Sequence, residues 1–345
     1  MRLAALAVEA RQRLELDLRG TTVLTEAASG AYAVTPVIAG LAGATVYAYA
    51  RTTRYGTVQE VFDQTRTLIA QLPAAVDVRL IEEITPEVVS AADVITNSGH
   101  LRPLDPARMR HARSSAVVPL MYEAWEWRDA DVDLSYLRAR GIRVGATNER
   151  HPDVDVFGYL GEMAVKQIHD AGLSVYRNRF VLVCNNAFGP YIARTLSALS
   201  DGVLVIDEDR HRAAYGGLDI DWAGSFPRLE IPQSYRKSAA LVLATYPFDQ
   251  TWIAPHGPVQ PSLIAAQLDQ PLVLRYVGDV DTASLRDTKI NYHPPVVASG
   301  HMGVLPSAIG PDPIARLQSG GLKVAELLLK GSTGFRGVPL VEVLP

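Results

Sequence analysis

The sequence predicts an α/β protein of two Rossmann-like domains with parallel sheets, linked by a long helix. Three observations predict it. Apolar runs of strand length alternate with helix-period segments from Thr22 to Leu329, which is the pattern of strands paired in parallel through helical crossovers. Phe180 to Asp209 reads strand, tight turn, helix, strand and acidic end, the order of a dinucleotide-binding unit. The 345 residues suffice for two domains of ordinary size. The expected partition is 1–152 with 313–345 as a substrate-binding, flavodoxin-like domain, and 153–312 as a Rossmann dinucleotide-binding-like domain.

In the first half, short strands are expected at Thr22–Leu24, Thr45–Ala50, Val76–Ile81, Asp93–Thr96, Ala116–Met121 and Ile142–Ala146. Between them, Val58, Val61, Phe62, Thr65, Leu68, Ile69 and Leu72 share one helical face. Thr85 before Pro86 is a helix start, because proline suits the first helical turn and threonine caps it. A long helix is expected over Asp153–Ala171. After it come strands at Phe180–Val183, Gly202–Ile206, Arg228–Ile231, Ala239–Ala244, Leu272–Val277 and Val296–Ala298, with helices at Pro261–Leu268 and Pro313–Leu329, the last interrupted by Gly320-Gly321.

Composition excludes several classes. The chain is 48% hydrophobic and 20% charged, with a net charge of −4 and scattered Lys and Arg. That is a globular composition without a nucleic-acid groove. No apolar run reaches the ~18–20 residues that span a bilayer, and the charged start MRLAALAVEARQRLELDLRG reads as a helix rather than a signal peptide. The one cysteine, Cys184, excludes an internal disulfide and fits the cytoplasm. No zinc spacing, P-loop or nucleophile elbow occurs, so no metal site is expected.

In the organising stretch, a glycine-rich fingerprint would fall on Cys184, Asn186 and Gly189, of which only the third is glycine. A Cβ at the second position blocks backbone approach to a pyrophosphate. The turn Cys184-Asn185-Asn186-Ala187-Phe188-Gly189 and the acidic Asp207 are the candidate cofactor residues, together with Tyr246 and Pro247 in the loop after a later strand.

In the order of these motifs the chain resembles the D-isomer-specific 2-hydroxyacid dehydrogenases and the wider formate/glycerate dehydrogenase-like group, over roughly residues 93–330. The resemblance is carried by Asp131-Val132-Asp133-Leu134 through Gly141-Ile142-Arg143-Val144, the helix from Asp155 through Glu162, the stretch Phe180–Asp207, Tyr246-Pro247-Phe248, and Ser299-Gly300-His301-Met302-Gly303. It implies NAD, preferred over NADP through Asp207, a small-molecule substrate in an interdomain cleft, and His301 at the catalytic histidine. A homodimer is expected. Two departures stand out. Anchored on Gly278, the family's arginine position reads Val277, with Arg275 two places away, and no glutamate between Asp281 and His293 matches the residue that orients the histidine.

The expected catalytic residues are therefore His301, His100 and Glu123, with Asn97, Ser98 and Gly99 as substrate contacts at a strand end. Trp125 and Trp127 wall either a pocket beside Glu123 or a protein contact. The turn Thr25–Tyr32 is a candidate anion site or an ordinary capped turn. Two functions fit these residues. One is a divergent NAD(P)-dependent oxidoreductase acting on a small molecule. The other is a non-catalytic Rossmann-fold descendant that binds a small molecule, peptide or protein. With no arginine in place, a neutral or amine-bearing ligand is expected rather than a keto acid.

Overall fold

The computed structural model describes residues 2–224 and 226–344; Met1 and Pro345, the outer ends of the expected first domain, lie outside them. The chain folds into two units. The first runs to Val156 and resumes at Gly310, and the second is Phe157–Ile309.

The first unit is built on β1 (Thr22–Glu26), β2 (Thr45–Tyr49), β3 (Asp77–Ile81), β4 (Val94–Ile95), β5 (Val117–Leu120) and β6 (Arg143–Thr147). They pair in parallel in the order β3-β2-β1-β4-β5-β6, and the strand Val341–Glu342 adds antiparallel beside β6. β4 and β5 are buried along their whole length. A strand covered on both faces has no polar alternation, which is why these segments read as plain apolar runs. The flavodoxin-like order expected for this unit is 2-1-3-4-5. The observed sheet is longer, because β3 pairs with β2 at five positions and adds an outer strand. The order becomes 3-2-1-4-5-6.

The helix Asp312–Leu329 packs on β5 and β6. Contrary to expectation, Gly320 and Gly321 do not interrupt it. A Cβ on Gly321 would sit 1.9 Å from the Met121 sulfur, and one on Gly320 would sit 3.0 Å from Val154. The two glycines let the helix approach the sheet.

The second unit holds β7 (Arg179–Cys184), β8 (Gly202–Ile206), β9 (Asp221–Trp222), β10 (Ala240–Ala244), β11 (Leu272–Val277) and β12 (Asn291–His293). All are parallel, in the order β9-β8-β7-β10-β11-β12. This is again 3-2-1-4-5-6, so both sheets are Rossmann-like, each with a switch point beside its first strand.

Three expected elements differ. The helix expected from Asp153 is a 3-10 turn at Phe157–Tyr159 followed by the helix Leu160–Asp170; Asp155 has a φ of 47°, which no right-handed helix accommodates. Arg228–Ile231 is not a strand, since the Gln267 carboxamide bonds Ile231 N and Leu229 O in place of a ladder. Nor is Val296–Ala298, whose Val297 and Ala298 carbonyls accept from the Arg275 guanidinium. Among the described residues, no helix is long and apolar enough to cross a membrane.

Candidate functional site

In a parallel sheet of this order, ligands bind beyond the carboxyl ends of the strands at the switch point. In the first unit that point lies between β1 and β4. Here three buried hydroxyls meet: Thr96 Oγ1 donates to Thr25 Oγ1 at 2.9 Å and lies 2.6 Å from Ser98 Oγ, with Thr25 and Ser98 3.3 Å apart. Asn97 Oδ1 accepts from Met121 N at 2.9 Å and ties the β4 loop to the end of β5. Glu26, the last residue of β1, accepts the His100 N–H on Oε2 at 2.9 Å. Gly99 lies alongside, where a Cβ would stand 3.6 Å from that carboxylate. The His100 ring packs edge-on to Tyr49, and its buried Nδ1 has no partner among the described residues.

Of the five candidate residues of this unit, Gly99 and His100 lie against the Glu26 carboxylate, which nothing in the sequence singles out, while Ser98 joins the hydroxyl cluster and Asn97 holds Met121 N. In the sequence Glu26 is only part of a turn with free backbone N–H groups. In the structure Gly30 N donates to Gln64 Oε1 and Ala27 N to Tyr49 O, so two of those donors are taken, and the carboxylate itself repels an anion.

Glu123 lies beyond β5 and is buried. It accepts from Trp125 Nε1 at 2.6 Å and from Arg150 Nε at 3.0 Å. Trp127 Nε1 donates to Val132 O. Both tryptophans therefore hold their own loop. Three further carboxylates share this neighbourhood: Glu126, Glu149 and Glu342, the last accepting from Ala124 N at 2.8 Å. Burial pushes Glu126 up to about 7 and raises Glu149 well above the carboxylate range; Glu123 is also raised by burial, against the Trp125 and Arg150 contacts. Tyr32 feels charges of both acidic groups. Its phenol is raised first by burial, then by Glu26, and Arg102 opposes the shift.

In the second unit the switch point lies between β7 and β10. The candidate turn residues lie here, and the side chains of Asn185 and Asn186 bond back to the protein. Asn186 Oδ1 accepts from Phe188 N at 2.9 Å and its Nδ2 donates to Ala244 O at 3.0 Å. Asn185 bonds Tyr246 reciprocally, Nδ2 to O and Oδ1 from N, both at 2.8 Å. Pro247 O accepts from Trp252 Nε1. Cys184 is buried, its thiol pushed up by burial, with Sγ 3.5 Å from Asn186 O. Asp207 is fully buried. Its Oδ2 accepts from Tyr215 Oη at 2.6 Å, and its Oδ1 lies 2.8 Å from His211 Nδ1 and accepts from Glu208 N.

His301 sits on an exposed loop of the same unit. Its Nδ1 donates to Ser299 O at 2.9 Å, which leaves the lone pair on Nε2. The loop is anchored by Asp279, which accepts from Ser299 Oγ and Gly300 N. Asp279 in turn is paired with Arg275, which also donates to the carbonyls of Gly278, Val297 and Ala298. Arg275 is thereby a structural tie rather than a free carboxylate receptor.

No protein-family model and no curated protein matches the sequence. Solved structures do match the fold. A dipicolinate synthase polypeptide from Bacillus subtilis aligns with a TM-score of 0.58 at 12% identity, over 92% of this chain and 99% of that one. Its Bacillus halodurans counterpart gives 0.56 at 13% identity, over 91% and 98%. D-lactate dehydrogenase from Lactobacillus jensenii, solved with NAD+, gives 0.50 at 12%, over 93% and 100%. The chain has the D-lactate dehydrogenase fold. That is the fold the resemblance implied. At these identities the likeness is one of fold, and the fit of a dinucleotide must be read from the residues. A ribose hydroxyl needs a free carboxylate oxygen at Asp207, and a pyrophosphate needs open N–H groups at the helix start. Asp207 already holds three donors, and Phe188 N is capped by Asn186. These residues do not fit the group.

Proposed function

We propose that this chain is a small-molecule-binding protein on the dehydrogenase fold, with its ligand at the carboxyl ends of β1, β4 and β5 in the first unit. The observation that carries the reading is the pair Glu26 and His100. Glu26 Oε2 is engaged by a backbone N–H, while no donor reaches its Oε1 among the described residues, and His100 Nδ1 is buried without a partner. A buried polar atom left unpaired costs about 1–3 kcal/mol unless something bonds it. A ligand that bonds the His100 Nδ1 would relieve that cost, and one that also donates to Glu26 would add a second contact. The ligand class is neutral or amine-bearing, since Glu26 offers a carboxylate at the strand ends and Arg275 is already tied to Asp279. An imidazole that bonds the ligand can also hold and pass a proton, so acid–base turnover of the ligand is within its chemistry.

The test is a thermal-shift panel of amines, alcohols and keto acids on the wild type, His100→Ala and Glu26→Gln. A ligand that binds the native state raises its midpoint. Amine-bearing hits should weaken at least tenfold in both variants. Hits that keep full affinity in two well-folded variants contradict the proposal.

The competing reading is an NAD(P)-dependent oxidoreductase acting on a small molecule. The fold shared with an NAD+-bound D-lactate dehydrogenase supports it, as does the free Nε2 of His301. It predicts nicotinamide reduction at 340 nm with some substrate of the panel and its loss in His301→Ala.

A further inference from the structure

We infer that the β7–turn–helix unit is closed to dinucleotides by its own side chains: the Tyr215 hydroxyl occupies the place of a ribose hydroxyl on Asp207, and Asn185 and Asn186 lace the crevice a pyrophosphate would enter. Three separate features carry this.

The first is the glycine that survives. Gly189 opens the helix Gly189–Leu199. In a nucleotide-binding unit this position is glycine so that the helix packs closely on the strand. Here a Cβ on Gly189 would stand 1.8 Å from Tyr215 Oη and 3.0 Å from Cys184 Sγ. The space kept clear by the missing side chain is filled by the phenol. Tyr215 is buried and braced by Trp222, ring centroids 5.3 Å apart.

The second is the carboxylate. Tyr215 Oη, His211 Nδ1 and Glu208 N all point at Asp207, which is fully buried. An entering ribose hydroxyl must displace one of these short bonds and gains only its replacement.

The third is the switch point itself. Three side-chain bonds cross from the end of β7 to the end of β10: Asn186 to Ala244 O, and two between Asn185 and Tyr246. The same Asn186 side chain caps Phe188 N, so that N–H of the helix start is not open to an anion.

The test is calorimetric titration of the wild type and Asp207→Ala with NAD+, NADP+ and ADP-ribose to several millimolar, with amide NMR shifts of 185–189 as the map. The inference predicts a dissociation constant weaker than about 1 mM for all three and unmoved turn amides. Sub-millimolar binding that shifts those amides and weakens tenfold or more in Asp207→Ala overturns it. Sub-millimolar binding that leaves the turn unmoved and ignores Asp207→Ala places the nucleotide elsewhere and upholds the closure. A further variant, Asn186→Gly with Tyr215→Ala, removes the occupants. If folded, it should bind ADP-ribose at least tenfold better than the wild type, and an unchanged affinity in a folded variant counts against the inference. Should it not fold, the wild-type titration decides alone.

Discussion

The Tyr215 hydroxyl donates to Asp207 Oδ2 at 2.6 Å, linking the acidic end of β8 to the last residue of the short 3-10 helix Asp209–Tyr215. A carboxylate out of water is tolerated only where donors replace its hydration. This one contact therefore bears both on the stability of the second unit and on which ligands its turn can accept.

Removing the hydroxyl should expose that dependence. Tyr215→Phe leaves the ring packing and takes one donor from a buried carboxylate. The expected loss is about 1–3 kcal/mol in urea unfolding. A variant within a few tenths of the wild type would mean that Asp207 does not rely on Tyr215.

Gly189→Ala should be costly for a related reason, since its methyl group meets the phenol oxygen at 1.8 Å. The penalty is expected to be on the order of 2 kcal/mol, in the range of overpacked cores. In the Tyr215→Phe background the clashing oxygen is gone, so the same substitution should cost less. A double-mutant cycle measures that coupling; strict additivity would separate the two residues.

The Arg275–Asp279 pair makes a third prediction. Arg275 is buried, and burial lowers the pKa of its guanidinium while Asp279 opposes the shift. Breaking one partner of a buried pair leaves the other uncompensated, typically at about 3–5 kcal/mol. Arg275→Met should therefore destabilise the second unit strongly and loosen the loop of His301, seen as faster amide exchange at Ser299 and Gly300. A stable variant that has only lost affinity for a carboxylate ligand would make Arg275 a substrate receptor after all.

The acidic group of the first unit should make stability depend on pH. Glu126 is pushed up from 4.5 to about 7, by burial first and by Glu123 and Glu342, with Arg128 opposing. Glu149 is raised well above 4.5, by burial first and then by Glu126, Glu123 and Glu342, with Arg150 opposing. A raised carboxyl favours the folded state while protonated. Its contribution is whole below about pH 4.5 and is lost as pH rises through about 7. The melting midpoint should fall from pH 5 to pH 8. Glu149→Gln, a mimic of the protonated acid, should raise the midpoint at pH 8 and change it little at pH 5. A midpoint flat across that range contradicts the assignment.

Much of the fold is legible in the sequence because it rests on local signals. Plain apolar runs mark β4, β5, β7, β8 and β10, and Thr85-Pro86 marks a helix start whose cap bond forms as expected. Sequence patterns mislead where a side chain replaces a backbone ladder, as Gln267 does at Ile231 and Arg275 does at Val297. The first-unit site is partly legible: Asn97 to His100 follow a strand end, and strand ends in such sheets face ligands. Glu26 escapes notice because nothing local marks it. Only the pairing of β1 with β4 brings it to His100. Tyr215 escapes notice because its partner Gly189 is 26 positions earlier in the chain, and a surviving glycine looks the same whether it clears space for a phosphate or for a phenol.

If the ligand enters at Glu26 and His100, the turn after β7 stays untouched when it binds. Hydrogen–deuterium exchange with and without the tightest ligand from the panel tests it most directly. New protection is expected in 26–32 and 97–101, with 184–189 unchanged. Protection confined to 184–189 and 207–215 would contradict it.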